Sequence, residues 1–168
     1  MKFKSLMTAV ALAATTLGAL ATDAAVEVQN AWVRATVKGQ MATGAFMTLT
    51  AKQATTLVGV ASPVAGVAQV HEMTMDNGVM KMAEVKGGLN LPVGKAVELK
   101  PGGYHLMLMD LKALLTKDST VPVTLTFKDA KGIESTLELT LPVAAMAPGG
   151  MAKPAAMDHS MHGNMPAK

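Results

Sequence analysis

Cysteine is missing from all 168 residues. Its absence excludes thiolate metal sites, dithiol redox chemistry and a cysteine nucleophile. Aromatic residues are scarce too, with one Trp, one Tyr and three Phe. Charged residues make up only 16% of the chain, and no basic stripe is interleaved with aromatics, so nucleic acid is excluded as a partner. Long apolar runs are absent except for Leu6 to Leu20, which is too short for a comfortable membrane span, and no stable membrane insertion is expected. No G-x-S-x-G elbow and no marked pair of carboxylates is present, so hydrolytic chemistry has no local support and an enzyme is not expected.

The Leu6 to Leu20 run has a different reading. Lys2 and Lys4 precede it, and Ala19-Leu20-Ala21 follows as an A-x-A cleavage signal. Residues 1–21 read as a signal peptide, cut after Ala21, with Ala24 and Ala25 less favoured. The protein is expected in the periplasm. Removing the leader lowers the formal charge from +3 to +1, so the basic calculated isoelectric point does not point to a polyanion.

Methionine is abundant, with fifteen residues, thirteen of them after Ala21. Met is a common core filler, so its placement matters more than its number. From Val26 to Val143 the chain reads as short alternating apolar runs separated by turn residues, with no convincing amphipathic helix. That pattern predicts an all-β fold, an antiparallel Greek-key sandwich or barrel over residues 22–143. Leu111 to Leu115 is compatible with one helical turn. Beyond Val143 the composition shifts to Ala, Pro, Gly, Met and His without periodicity, and residues 144–168 read as a disordered tail.

Two stretches carry chemistry. After Pro101-Gly102-Gly103, strict alternation places His105, Met107 and Met109 on one side of an extended segment. Upstream, Asn77-Gly78 predicts a two-residue hairpin turn, because both central residues of that turn need positive φ. The turn sets a register in which Met75 faces Met80, Met73 faces Met82 and His71 faces Glu84, with His71 and Met82 diagonal neighbours. Brought together, His71, Met82, His105 and Met107 make a two-imidazole, two-thioether site. All four donors are neutral and soft or borderline, which suits Cu(I) and discriminates weakly against Ag(I), whereas zinc prefers thiolate, imidazole and carboxylate sets.

His71, Met82 eleven positions on, and the distal His105-x-Met107, with Trp32 near the mature start, closely resemble the periplasmic copper chaperone family PCu(A)C. The segment from Val70 to Met82 resembles its signature block. The resemblance implies a cupredoxin-like β-sandwich and an exposed Cu(I) site. It also implies delivery of copper to the CuA centre in the copper-bearing subunit of cytochrome oxidase, often beside a thioredoxin-like copper chaperone. The tail, with His159, Met161, His162 and Met165, resembles extensions linked in part of the family with a second copper site and with Cu(II).

Blander readings stand beside these. A single strand histidine is more often a satisfied polar residue than a ligand; two, with two Met at compatible positions, reverse that balance. Met73, Met75, Met80 and Met109 are expected as core or rim thioethers, Met73 being the best alternative ligand. Trp32 and Tyr104 are expected as core aromatics. The alternative function is copper sequestration by the same site, and a weaker one is a sandwich interaction module that binds no metal.

Overall fold

The computed structural model describes residues 25–148. The predicted signal peptide and the tail residues His159, Met161, His162 and Met165 lie outside the described residues. Ten strands follow in chain order: β1 (Val26–Arg34), β2 (Ala42–Ala51), β3 (Thr55–Ala61), β4 (Ala65–Asp76), β5 (Val79–Glu84), β6 (Leu89–Leu91), β7 (Ala96–Leu99), β8 (His105–Leu111), β9 (Thr120–Asp129) and β10 (Glu134–Ala144). Their spatial order is β5-β4-β8-β2-β1-β10-β9-β3-β6, with β7 also paired to β2. The path folds over at β1 and β10 into two layers around one core. Leu106, Leu108 and Val70 come from one layer, and Leu57, Val123 and Leu125 from the other. Fully burying each such side chain contributes about 1.5–3 kcal/mol.

The all-β expectation holds, with specific departures. Every strand ladder is antiparallel except β1–β10, which is parallel and short, pairing Val33 with Val143 and Arg34 with Ala144. The two runs at Val26 and Ala31 form one strand interrupted by a bulge between Gln29 and Trp32, where Asn30 takes φ 53°. The helical turn compatible with Leu111 to Leu115 does not form. The chain there bends so that Leu115 enters the core, and its backbone N–H donates to Thr36 Oγ1 at 2.9 Å. Burying one leucine and satisfying its amide outweighs a single unsupported helical turn.

The segments flanking Pro101-Gly102-Gly103 do not pair with each other as a hairpin. Both lie along β2: β7 against Met47–Thr50 and β8 against Ala42–Ala45. β8 is thereby inserted between β2 and β4. That insertion positions the site.

Candidate metal centre

The β4–β5 ribbon has the register expected from its turn. Met75 faces Met80, Met73 faces Met82 and His71 faces Glu84. Asn77 and Gly78 adopt φ 49° and 80°, so the local backbone chemistry sets the pairing. On the other edge of β4, His71 lies directly opposite His105 and Gln69 opposite Met107. Gly44 of β2 faces Met107 from the far side of β8.

Alternation then separates two faces. Val70, Leu106, Leu108 and Ala45 point into the core, while His71, His105, Met107 and Gly44 point the other way. The histidines therefore sit on the outward face of the sheet, yet both are buried, at 8% and 7% exposure. They cover each other, with ring centroids 5.9 Å apart and the planes at 69°. Phe46 covers His105 from the β2 side at 6.4 Å, and its own ring stacks on Trp32 at 4.8 Å with the Arg34 guanidinium 5.3 Å above it.

A cleft of about 330 Å³ opens over this face. Its wall includes His105, Met107, Met73, Met82, Phe46 and Arg34. His71 is not on the wall and packs edge-on against His105 instead. Three of the four expected ligands thus border one space, and the fourth touches the third. Among the described residues no three His, Asp or Glu side chains converge as a cation cluster. The donors grouped here are imidazoles and thioethers, a set that favours a soft monovalent ion over magnesium or calcium.

Hydrogen bonds prepare both rings. The Gly103 carbonyl accepts from His105 Nδ1 at 3.0 Å and also from the Met73 amide at 3.2 Å. That contact places the His105 proton on Nδ1 and leaves Nε2 with its lone pair. His71 Nε2 lies 3.1 Å from Gln69 Oε1; an amide oxygen only accepts, so Nε2 carries the proton. His71 Nδ1 is then a bare acceptor, buried and without a hydrogen-bond partner. Such an orphan costs about 1–3 kcal/mol, a penalty that a bound cation removes. Burial, then the neighbouring His105, lowers the His71 pKa below its ordinary value, against the opposing pull of Glu84. His71 is thereby kept neutral at pH 7, as a ligand must be.

The remaining methionines divide. Met73 and Met80 border the cleft, while Met75 stands out at 65% exposure and Met109 is partly buried further along β8. Trp32 is buried as expected but lies on the outward face with Phe46, apart from the main core cluster. Its position follows from the β1 bulge, which resets the pairing so that Trp32 faces Phe46. Tyr104 packs partly against the core, and its hydroxyl bonds the Glu72 carboxylate, raising the tyrosine pKa. Gln69, Gly44, Phe46 and the Gly103 carbonyl were not singled out from the sequence. Gln69 and Gly103 each lie two residues before the histidine they bond, a local signal that strand alternation carries for Gln69. Gly44 and Phe46 reach Met107 and His105 only through the β2–β8 pairing, which nothing local marks.

Residues 26–143 match the LpqE-like lipoprotein family along their whole length. The chain belongs to the LpqE-like family. It is 38% identical over 118 residues to "Putative lipoprotein Lxx21020" of Leifsonia xyli subsp. xyli, covering 70% of this chain and 69% of that protein. Among solved structures, this LpqE-like chain is similar to apo DR1885 from Deinococcus radiodurans, at 33% identity and TM-score 0.54 over 87% of this chain and 95% of that one. It is similar also to the Cu(I) form of DR1885, at 32% identity and TM-score 0.54 over 73% and 80% of the two chains. The copper-bound PCuAC domain of PmoF2 shares the fold, with TM-score 0.55 at 23% identity over 73% of this chain and 95% of that domain. The LpqE-like chain therefore shares the cupredoxin-like fold of the PCuAC domains. None of its 168 residues is a cysteine, so no residue of this stretch can carry a thioether-linked lipid.

Proposed function

We propose that this LpqE-like protein is a periplasmic copper carrier that binds one Cu(I) through His71, Met82, His105 and Met107. The observation that carries the reading is the opposed His71–His105 pair beside a cleft bordered by thioethers, with His71 Nδ1 buried and lacking a partner. The similarity to a DR1885 structure containing Cu(I) supports the choice of metal. His105 Nε2 and His71 Nδ1 supply lone pairs, and Met107 and Met82 supply neutral sulfur. Met82 is 49% exposed, so the site lies open to solvent on the ribbon side. Individually weak ligands at an open edge can be replaced one at a time by those of an acceptor, which transfer requires. The recipient in this reading is the CuA centre of cytochrome oxidase, with a thioredoxin-like chaperone as co-worker. His159, Met161, His162 and Met165 of the tail capture further copper, including Cu(II).

The test is an anaerobic Cu(I) titration against a chromophoric chelator, with X-ray absorption reporting the metal's neighbours. One equivalent per chain at the folded site, bound to nitrogen and sulfur, is expected. His105→Ala or Met82→Ala should weaken affinity more than about tenfold, equivalent to ~1.4 kcal/mol or more, while the β-sheet circular dichroism persists. Unchanged affinity in both variants would remove the ligand assignment. Truncation after Val143 should abolish only the additional Cu(II) uptake. Oxidase assembly scored beside copper tolerance in a deletion strain separates delivery from sequestration.

A further inference from the structure

The β4–β5 ribbon carries more sulfur than the proposed site uses. One face presents Met73, Met75, Met80 and Met82 as two cross-strand pairs, Met73–Met82 and Met75–Met80. The other face presents Glu72, Thr74, Asp76, Val79, Lys81 and Ala83, which is mostly polar. Methionines at the ribbon tip are not core fillers: Met75 is 65% exposed and Met80 49%. Met80 nevertheless borders the same cleft as Met82, Met107 and His105. Two residues along a strand is about 7 Å, so the outer pair stands one step beyond the inner pair, on the side away from the histidines. The nearest carboxylate at the turn, Asp76, is engaged by Lys81 and offers no competing hard ligand.

We propose that Met75 and Met80 form a second, weaker Cu(I) station, made of thioethers alone, through which the ion enters and leaves the inner site. The inference rests on the copper reading of that inner site. Two neutral sulfurs at an exposed ribbon tip hold a soft ion loosely, and no proton has to leave for it to bind. A cuprous ion passes from Met75–Met80 to Met73–Met82 and then to the imidazoles by exchanging one thioether at a time. One copper–sulfur bond forms as another breaks, the ion stays Cu(I) and no electron is transferred. The arrangement explains why four positions on the cleft-side face of an unpacked ribbon are methionine, where β-branched residues would suit a strand better.

The experiment uses the full mature chain with ¹³C-labelled methionine methyls, titrated with Ag(I) as a redox-inert probe. The first equivalent should shift the Met82 and Met107 methyls, and the second those of Met75 and Met80, resolved from the tail methionines by assignment. The double variant Met75→Leu/Met80→Leu should keep the inner-site Cu(I) affinity within about twofold while slowing transfer to a competing chelator about threefold or more. Normal first-equivalent binding with silent Met75 and Met80 methyls and unchanged transfer would overturn the station while leaving the inner site standing. A partner protein that loses affinity for the double variant when transfer to chelator is unaltered would assign the pair to docking and overturn the station as well. No binding at Met82 or Met107 would overturn the inner site, and this inference with it.

Discussion

Gly44 offers a test in which strand propensity and tertiary packing predict opposite signs. Gly44 lies within β2 and has no positive φ, so its backbone would accept alanine. On propensity alone, Gly44→Ala should stabilise the domain by about 0.5–1 kcal/mol, because glycine loses more freedom on folding. The packing says otherwise. A Cβ at Gly44 would stand 2.7 Å from Phe46 Cζ, and 3.2 and 3.3 Å from its Cε2 and Cε1. Ordinary carbon contacts lie at about 3.5–4.0 Å, so the ring tip must retreat by roughly 1 Å. The ring is held on three sides, stacked on Trp32, under Arg34 and facing His105 at 5% exposure, so a retreat toward the cleft breaks these contacts. Overpacking of this kind costs about 1–3 kcal/mol, leaving a net loss of about 0.5–2 kcal/mol. That corresponds to a fall in Tm of roughly 2–8 °C.

The assay is a double-mutant cycle by urea denaturation of the apo protein. Phe46→Leu alone should cost about 1 kcal/mol through lost ring area, and it removes the atom with which the new methyl collides. The pair Gly44→Ala/Phe46→Leu should then be no less stable than Phe46→Leu, a coupling of about 1–2 kcal/mol. Trp32 is the only tryptophan, so its emission reports whether the aromatic stack opens in Gly44→Ala. Strict additivity, or a Gly44→Ala protein as stable as the parent, would refute the seat assigned to Phe46 over Gly44.

The site makes three further predictions. His71 has a folded pKa below its ordinary 6.5, so between the two values the unfolded chain binds more protons than the native one. Apo stability should therefore fall as pH drops through 6.5 and level off below the folded pKa; urea midpoints from about pH 7.5 to 5.5 should show this slope in the parent and lose it in His71→Gln. Gln69→Leu removes the acceptor of the His71 Nε2 proton. Nitrogen NMR should show the His71 tautomer no longer held to Nε2–H, and Cu(I) affinity should fall about 10–100-fold, as expected for a residue that orients a ligand; an unmoved tautomer would rule out that role. Mild peroxide should convert Met75, Met80 and Met82 to sulfoxides before Met47, which is 2% exposed, with peptide mass mapping giving the order. Cu(I) affinity should decline in step with Met82 oxidation, because a soft sulfur is replaced by a polar sulfoxide.

What could be read along the chain was what neighbouring residues settle between themselves. Asn77 and Gly78 both take positive φ, and that local property carried the register of β4 against β5, and with it the Met73–Met82 and Met75–Met80 pairs. Alternation set the opposite faces of Leu106 and Met107, and the missing cysteine excluded thiolate chemistry before any fold was known. Tertiary structure alone decided that β8 enters between β2 and β4, bringing His105 opposite His71. It also sent β7 to β2 and joined the two layers through a parallel β1–β10 contact. These pairings join segments distant in sequence, so they are selected by shared burial of one core and not by any local backbone preference. The same global packing laid Phe46 across Gly44, shielded two histidines on the outward side of a sheet, and left one imidazole nitrogen without a partner.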